Sequence, residues 1–160
     1  MRFFNTAGPV NCQDHYCLPP LTRFNLSEIL TLINQKKYFV LHAPRQSGKT
    51  SCLLACTEYL NKEGRYYALY TNVEAGQAAR EDVSSAMRAI LSGMLRRVNN
   101  NFPNIVTFDD LEKIFLQNGP YDAMGAFLSL LSGKLDKPLV LMIDEIDALV
   151  GDTLISVLRQ

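Results

Sequence analysis

With 160 residues, the chain is long enough for one domain with a sizeable core. Its 16 basic and 16 acidic residues balance, so net charge supplies no general attraction to polyanions. The composition, 48% apolar and 20% charged, is that of an ordinary globular protein, and no apolar run is long enough to cross a membrane.

The N-terminal "MRFFNTAGPVNCQDHYC" lacks the long apolar stretch of a secretory signal, which leads to the expectation of a cytoplasmic protein. Residues 1–24 read as an irregular arm containing "LPPL" at 18–21. Cys12, His15 and Cys17 are close in sequence, but their spacing fits no common zinc pattern and a second ligand pair is missing. Reduced thiols are the expectation there.

From residue 25 to residue 160 the pattern is that of a domain. Asn25 followed by Glu28 resembles a capping box, and Leu26, Ile29, Leu30 and Ile33 form an apolar stripe. "KKYFVLHA" (36–43) is short, aromatic and β-branched, which predicts a buried strand. Leu53, Leu54, Tyr59 and Leu60 then recur at helical spacing, with Cys52 and Cys56 as small packing residues and Gly64 as a C-cap. "RYYALYTNV" (65–73) predicts a second strand. A helix over 80–98 carries Val83, Met87, Ile90, Leu91, Met94 and Val98 on one side, and "NNNFPN" breaks it.

Thr107 with Asp110 marks another helix start, carrying Leu111, Ile114 and Phe115 until "NGP" (118–120). A further helical piece, 123–131, closes at Gly133. "LVLMIDEID" (139–147) is a nearly continuous apolar strand ending in acids, and "GDTLISVLRQ" begins a last helix. Strands alternating with helices predict an α/β fold, a parallel sheet sandwiched by helices.

Two motifs carry chemistry. The first is "LHAPRQSGKTS" (41–51), placed between a predicted strand and a predicted helix. A helix N-terminus has unpaired N–H groups and a partial positive charge, so it attracts an anion. Gly48 has no Cβ and lets the backbone approach a phosphate. The expected binding loop comprises Pro44, Arg45, Gln46, Ser47, Gly48, Lys49, Thr50 and Ser51, with the successive N–H groups from Gln46 to Ser51 converging on phosphate oxygens. Lys49 adds a point charge at the β- and γ-phosphates, and Thr50 offers a hydroxyl to Mg²⁺. The departure from the usual pattern is Ala43, where a glycine is expected. Pro44 imposes extended geometry on Ala43 in any case.

The second motif is the acidic strand end. Asp144 is placed to hold Mg²⁺ through water, and Glu145 to orient or deprotonate an attacking water. Ligands bind outside the carboxyl ends of strands in open α/β sheets, so both motifs are expected on one sheet edge. Asp147 reads as solvated or as a local cap.

"APRQSGKTS" and "LVLMIDEID" resemble the Walker A and Walker B segments of P-loop NTPases, and the stretch from Leu18 to Ser51 is similar to AAA+-like ATPases of the prokaryotic STAND and origin-recognition-like type. The resemblance implies a P-loop NTPase fold, ATP and Mg²⁺ as ligands, and catalytic roles for Lys49 and Glu145. It also implies that the segment before the first strand, here 16–21, lies against the adenine, the alternative being a proline-rich arm packed on the core. In that family a sensor strand, an arginine finger and a helical lid follow Walker B, so the chain reads as truncated after the Walker B strand, part of a longer parent.

Two functions follow as expectations. One is Mg-dependent ATP hydrolysis coupled to conformational change in the full-length parent, in a homo-oligomer or with a downstream domain. The other is a nucleotide-dependent regulatory switch with little or no hydrolysis. Nucleic acid is a partner the resemblance allows but the charges do not support: Arg96, Arg97, Lys36 and Lys37 read as solvated.

Overall fold

The computed structural model describes residues 2–6, 11–44 and 46–159. The chain divides into two compact units, Met1–Glu63 and Gly64–Gln160.

In the first unit the arm folds back on itself. The Phe3 N–H donates to the Asp14 carbonyl and the Tyr16 N–H to the Phe3 carbonyl, both at 3.1 Å. Cys12 and Cys17 are joined by a disulfide, not reduced as the sequence suggested. A single 3-10 turn, Pro20–Thr22, leads into helix α1, Leu26–Asn34. Its cap is the one the sequence announces: Asn25 Oδ1 accepts from the Glu28 N–H at 3.4 Å. Ile29 and Ile33 are its buried positions. Helix α2, Lys49–Glu63, buries Leu53, Cys56 and Leu60 and stops before Gly64, whose φ of +84° favours a residue without Cβ. Burial pushes the Cys56 thiol up to about 11, in keeping with an inert packing residue.

The second unit is built around two strands. β1, Tyr67–Asn72, pairs in parallel with β2, Leu139–Asp144, in a register that sets Tyr67 against Leu139 and Asn72 against Asp144. The connection is helical, as parallel strands require. Helix α3, Val83–Asn101, begins at Asp82, whose side chain accepts from the Ser85 N–H. Helix α4, Phe108–Lys134, starts with a complete capping box between Thr107 and Asp110 and is broken at Gly119 (φ 71°, ψ 177°), just before Pro120. Helix α5, Gly151–Leu158, ends the described chain. α3 packs on α4 and on β1. Leu69, Met87, Leu91, Met94, Leu95 and Phe127 are at most 1% exposed and form the centre of one apolar core.

The expected parallel sheet sandwiched by helices, the P-loop NTPase fold, is contradicted. Among the described residues the sheet has two strands, in a mainly helical chain. The missing member is the strand predicted over 36–43, which forms no ladder. The segment does alternate: Tyr38 and Val40 are 97% and 86% exposed, while Phe39, Leu41 and Ala43 are half-buried. Its sequence therefore encodes an extended ribbon, but a strand also needs a neighbour for its N–H and C=O groups, and β-propensity says nothing about where that neighbour is. Among the described residues, no helix is long and apolar enough to cross a membrane.

Candidate functional site

The phosphate-loop residues belong to the first unit. Gln46 and Gly48 both have positive φ, 59° and 82°, and flank Ser47. Left-handed residues at alternate positions are a feature of anion nests, while the Ser47 N–H already donates to the Pro44 carbonyl at 3.4 Å. Lys49 is the first residue of α2, and the Cys52 N–H donates to the Gly48 carbonyl at 3.0 Å, closing the first helical turn. Lys49, Thr50 and Ser51 are the first three residues of α2. Ser47 Oγ is buried with no hydrogen-bond partner among the described residues. Pro44 and Gln46 are exposed; Ser47, Gly48, Lys49, Thr50 and Ser51 are half-buried. Arg45, also expected to bind nucleotide, lies outside the described residues. Leu18, in the segment expected near an adenine, is exposed.

Asp144 and Glu145 belong to the second unit. Asp144 closes β2 and is 2% exposed. Tyr70, on β1, donates its phenol O–H to Asp144 Oδ2 at 3.1 Å, and the Glu145 N–H donates to Oδ1 at 3.0 Å. Burial, then the Asp144 charge, push the Tyr70 phenol up to about 12, so it remains a donor throughout the ordinary pH range. The Arg97 guanidinium lies over the Tyr70 ring, 5.0 Å from its centroid. Arg96 is exposed as expected; Arg97 is half-buried by this stacking and is not a merely solvated charge. Glu145 leaves the strand in the left-handed conformation (φ 58°, ψ 37°). That turn points it away from the direction a continuing strand would give. Asp147 is exposed.

These donors fit the ligands the motifs imply. Glycine at φ +82° beside a lysine at a helix start is compatible with close approach of an anion to the backbone. Asp144 accepts from the Tyr70 phenol and from the Glu145 N–H, so its carboxylate is held in a fixed orientation. Mg²⁺ keeps several waters and takes one or two protein oxygens; of the residues expected to supply them, Thr50 belongs to the first unit and Asp144 to the second. Among the described residues no group of three or more His, Cys, Asp or Glu side chains could form an all-protein cage.

An open groove of about 1160 Å³ in the second unit is lined by Glu74, Arg80, Asp82, Ala148 and Val150 among others, and by none of the residues singled out from the sequence. Sequence reasoning missed Tyr70, whose partner is 74 positions away, and Arg97. The three tyrosines of "RYYALY" (65–70) carry no signal that the hydroxyl of the last one meets a carboxylate.

In comparisons with protein families, curated proteins and solved structures, nothing matches this chain.

Proposed function

We propose that the chain binds ATP with Mg²⁺. The phosphates sit at the loop formed by Pro44, Arg45, Gln46, Ser47, Gly48, Lys49, Thr50 and Ser51. Thr50 offers its hydroxyl to the metal and Asp144 is a carboxylate of the kind that holds it through water, and in the enzymatic form of the proposal Lys49 and Glu145 are catalytic. The observation that carries the reading is the start of α2: a glycine at φ +82° followed at once by Lys49 as the first helical residue. The resemblance to AAA+-like ATPases supports it at the level of motifs and not of the sheet.

A second reading is a nucleotide-dependent switch without appreciable turnover. It is favoured by Asp144, whose two oxygens are already held by Tyr70 and the Glu145 N–H, an arrangement suited to a fixed charge.

Phosphate release from Mg-ATP by the wild type and Glu145→Gln separates the two readings. Hydrolysis predicts turnover that Glu145→Gln loses while ATP binding persists. The switch predicts ATP-dependent stabilisation against heat and no turnover in either protein. Equal, measurable turnover in both would remove Glu145 from the mechanism.

A further inference from the structure

Gly48 is needed for its backbone conformation, and the movable end of the Arg23 side chain lies beside it. The Gly48 φ of +82° is strained for any other residue, and a Cβ there would lie 2.8 Å from Arg23 Nη1 and 3.8 Å from Arg23 Cζ. The guanidinium of Arg23 therefore rests on the backbone of the loop, at the residue before Lys49. Its own backbone is anchored there: Arg23 follows the turn Pro20–Thr22, and the Pro20 carbonyl accepts from Cys52 Sγ at 3.3 Å. The charge is felt in the first turn of α2, where it opposes the upward push that burial gives the Cys52 thiol.

This placement collects positive charge. The helix start carries a partial positive charge, Lys49 adds an ammonium, and Arg23 brings a second full cation. Among the described residues no carboxylate pairs with Arg23. Ser47 Oγ, in the same loop, is buried without a partner, and a buried hydroxyl of that kind calls for an acceptor or donor supplied from outside. Unpaired cations and an orphaned hydroxyl at one helix start are complementary to an oxyanion. Guanidinium, planar and forked, suits two oxygens of a phosphate or of neighbouring phosphates.

We infer that Arg23 is a phosphate ligand of this site: the polyphosphate chain of a nucleotide is held between the Arg23 guanidinium and the Lys49 ammonium, with the Ser47 hydroxyl donating to a phosphate oxygen. The assignment rests on the loop's being a nucleotide site and deepens it, since it makes the number of phosphates the quantity the site reads.

The test is calorimetric titration of the full chain with ATP, ADP and AMP at one fixed salt and Mg²⁺ concentration, for wild type, Arg23→Ala, Arg23→Lys and Lys49→Ala. Arg23 is exposed, so thermal melts of its variants should match wild type. Losing one charge-assisted contact weakens ATP about 10- to 100-fold. The expected pattern is graded, ATP losing most and AMP least, with Arg23→Lys recovering part of the loss. If Arg23→Ala binds ATP within about twofold of wild type while Lys49→Ala does not bind, Arg23 is not a ligand and the nucleotide site stands without it. If Arg23→Ala weakens all three nucleotides equally, Arg23 acts through structure and the assignment is overturned. If wild type binds none of them, the nucleotide site itself fails and takes the assignment with it.

Discussion

Asp144 in the second unit is 2% exposed, with both carboxylate oxygens taking a hydrogen bond, whereas Lys49 in the first unit stands half-buried at the open start of a helix. The carboxylate is fixed by packing: β2 holds its backbone, β1 supplies Tyr70, and α3 covers Tyr70 with Arg97. The lysine is fixed by backbone conformation, through two positive-φ residues and one helical turn. Chemistry that needs an invariant charge is built into a core. Chemistry that needs access is built on a loop, where few contacts are at stake.

The largest expected effect follows from that difference in packing. Phe127→Ala, at a position with no exposed surface, should cost about 3–5 kcal/mol in urea denaturation. Tyr38→Ala, 97% exposed in the first unit, should change stability by less than about 0.5 kcal/mol. Comparable losses in the two variants would abolish the distinction.

Next in size is the buried hydrogen bond. Tyr70→Phe leaves Asp144 Oδ2 without its phenol donor and should destabilise by about 1–2 kcal/mol. Denaturant midpoints would show it, and a midpoint equal to wild type would mean that packing alone fixes the carboxylate.

The smallest effect is electrostatic and lies on α4. The Thr107 N–H, then Lys134, hold the Asp110 carboxyl below the usual carboxylate range. The folded state thus favours the ionised form. Its contribution to stability is present above the unfolded pKa, near about 4, and is lost as pH falls through the lower folded value. Asp110→Asn should accordingly lose less stability than wild type between about pH 5 and pH 2, measured by urea midpoints. An identical acid slope would place the pH dependence elsewhere.

How much of this was legible in the chain depended on distance along it. The Asn25–Glu28 and Thr107–Asp110 caps were readable because donor and acceptor are three residues apart. The strand 139–144 was readable because it is an unbroken apolar run before acids, and the last helix, which begins at Gly151, because "GDTLISVLRQ" opens there. Residues 36–43 carry a strand's composition too, yet form none, since pairing depends on a partner the local sequence does not contain. The loop 44–51 was recognisable as a motif, but Arg23 against Gly48 was not, because "LPPLTRFN" gives no reason for its arginine to turn toward residue 48. The Cys12–Cys17 bond was missed for a different reason: a spacing that excludes zinc was taken to leave the thiols reduced.

The central claim is that the start of α2 is a nucleotide phosphate site, and equilibrium titration of wild type and Lys49→Ala with Mg-ATP tests it most directly. The account predicts saturable binding by wild type, reduced at least about 100-fold in Lys49→Ala with an unchanged melting temperature. Equal affinity in the two proteins, or no binding by wild type, would contradict it.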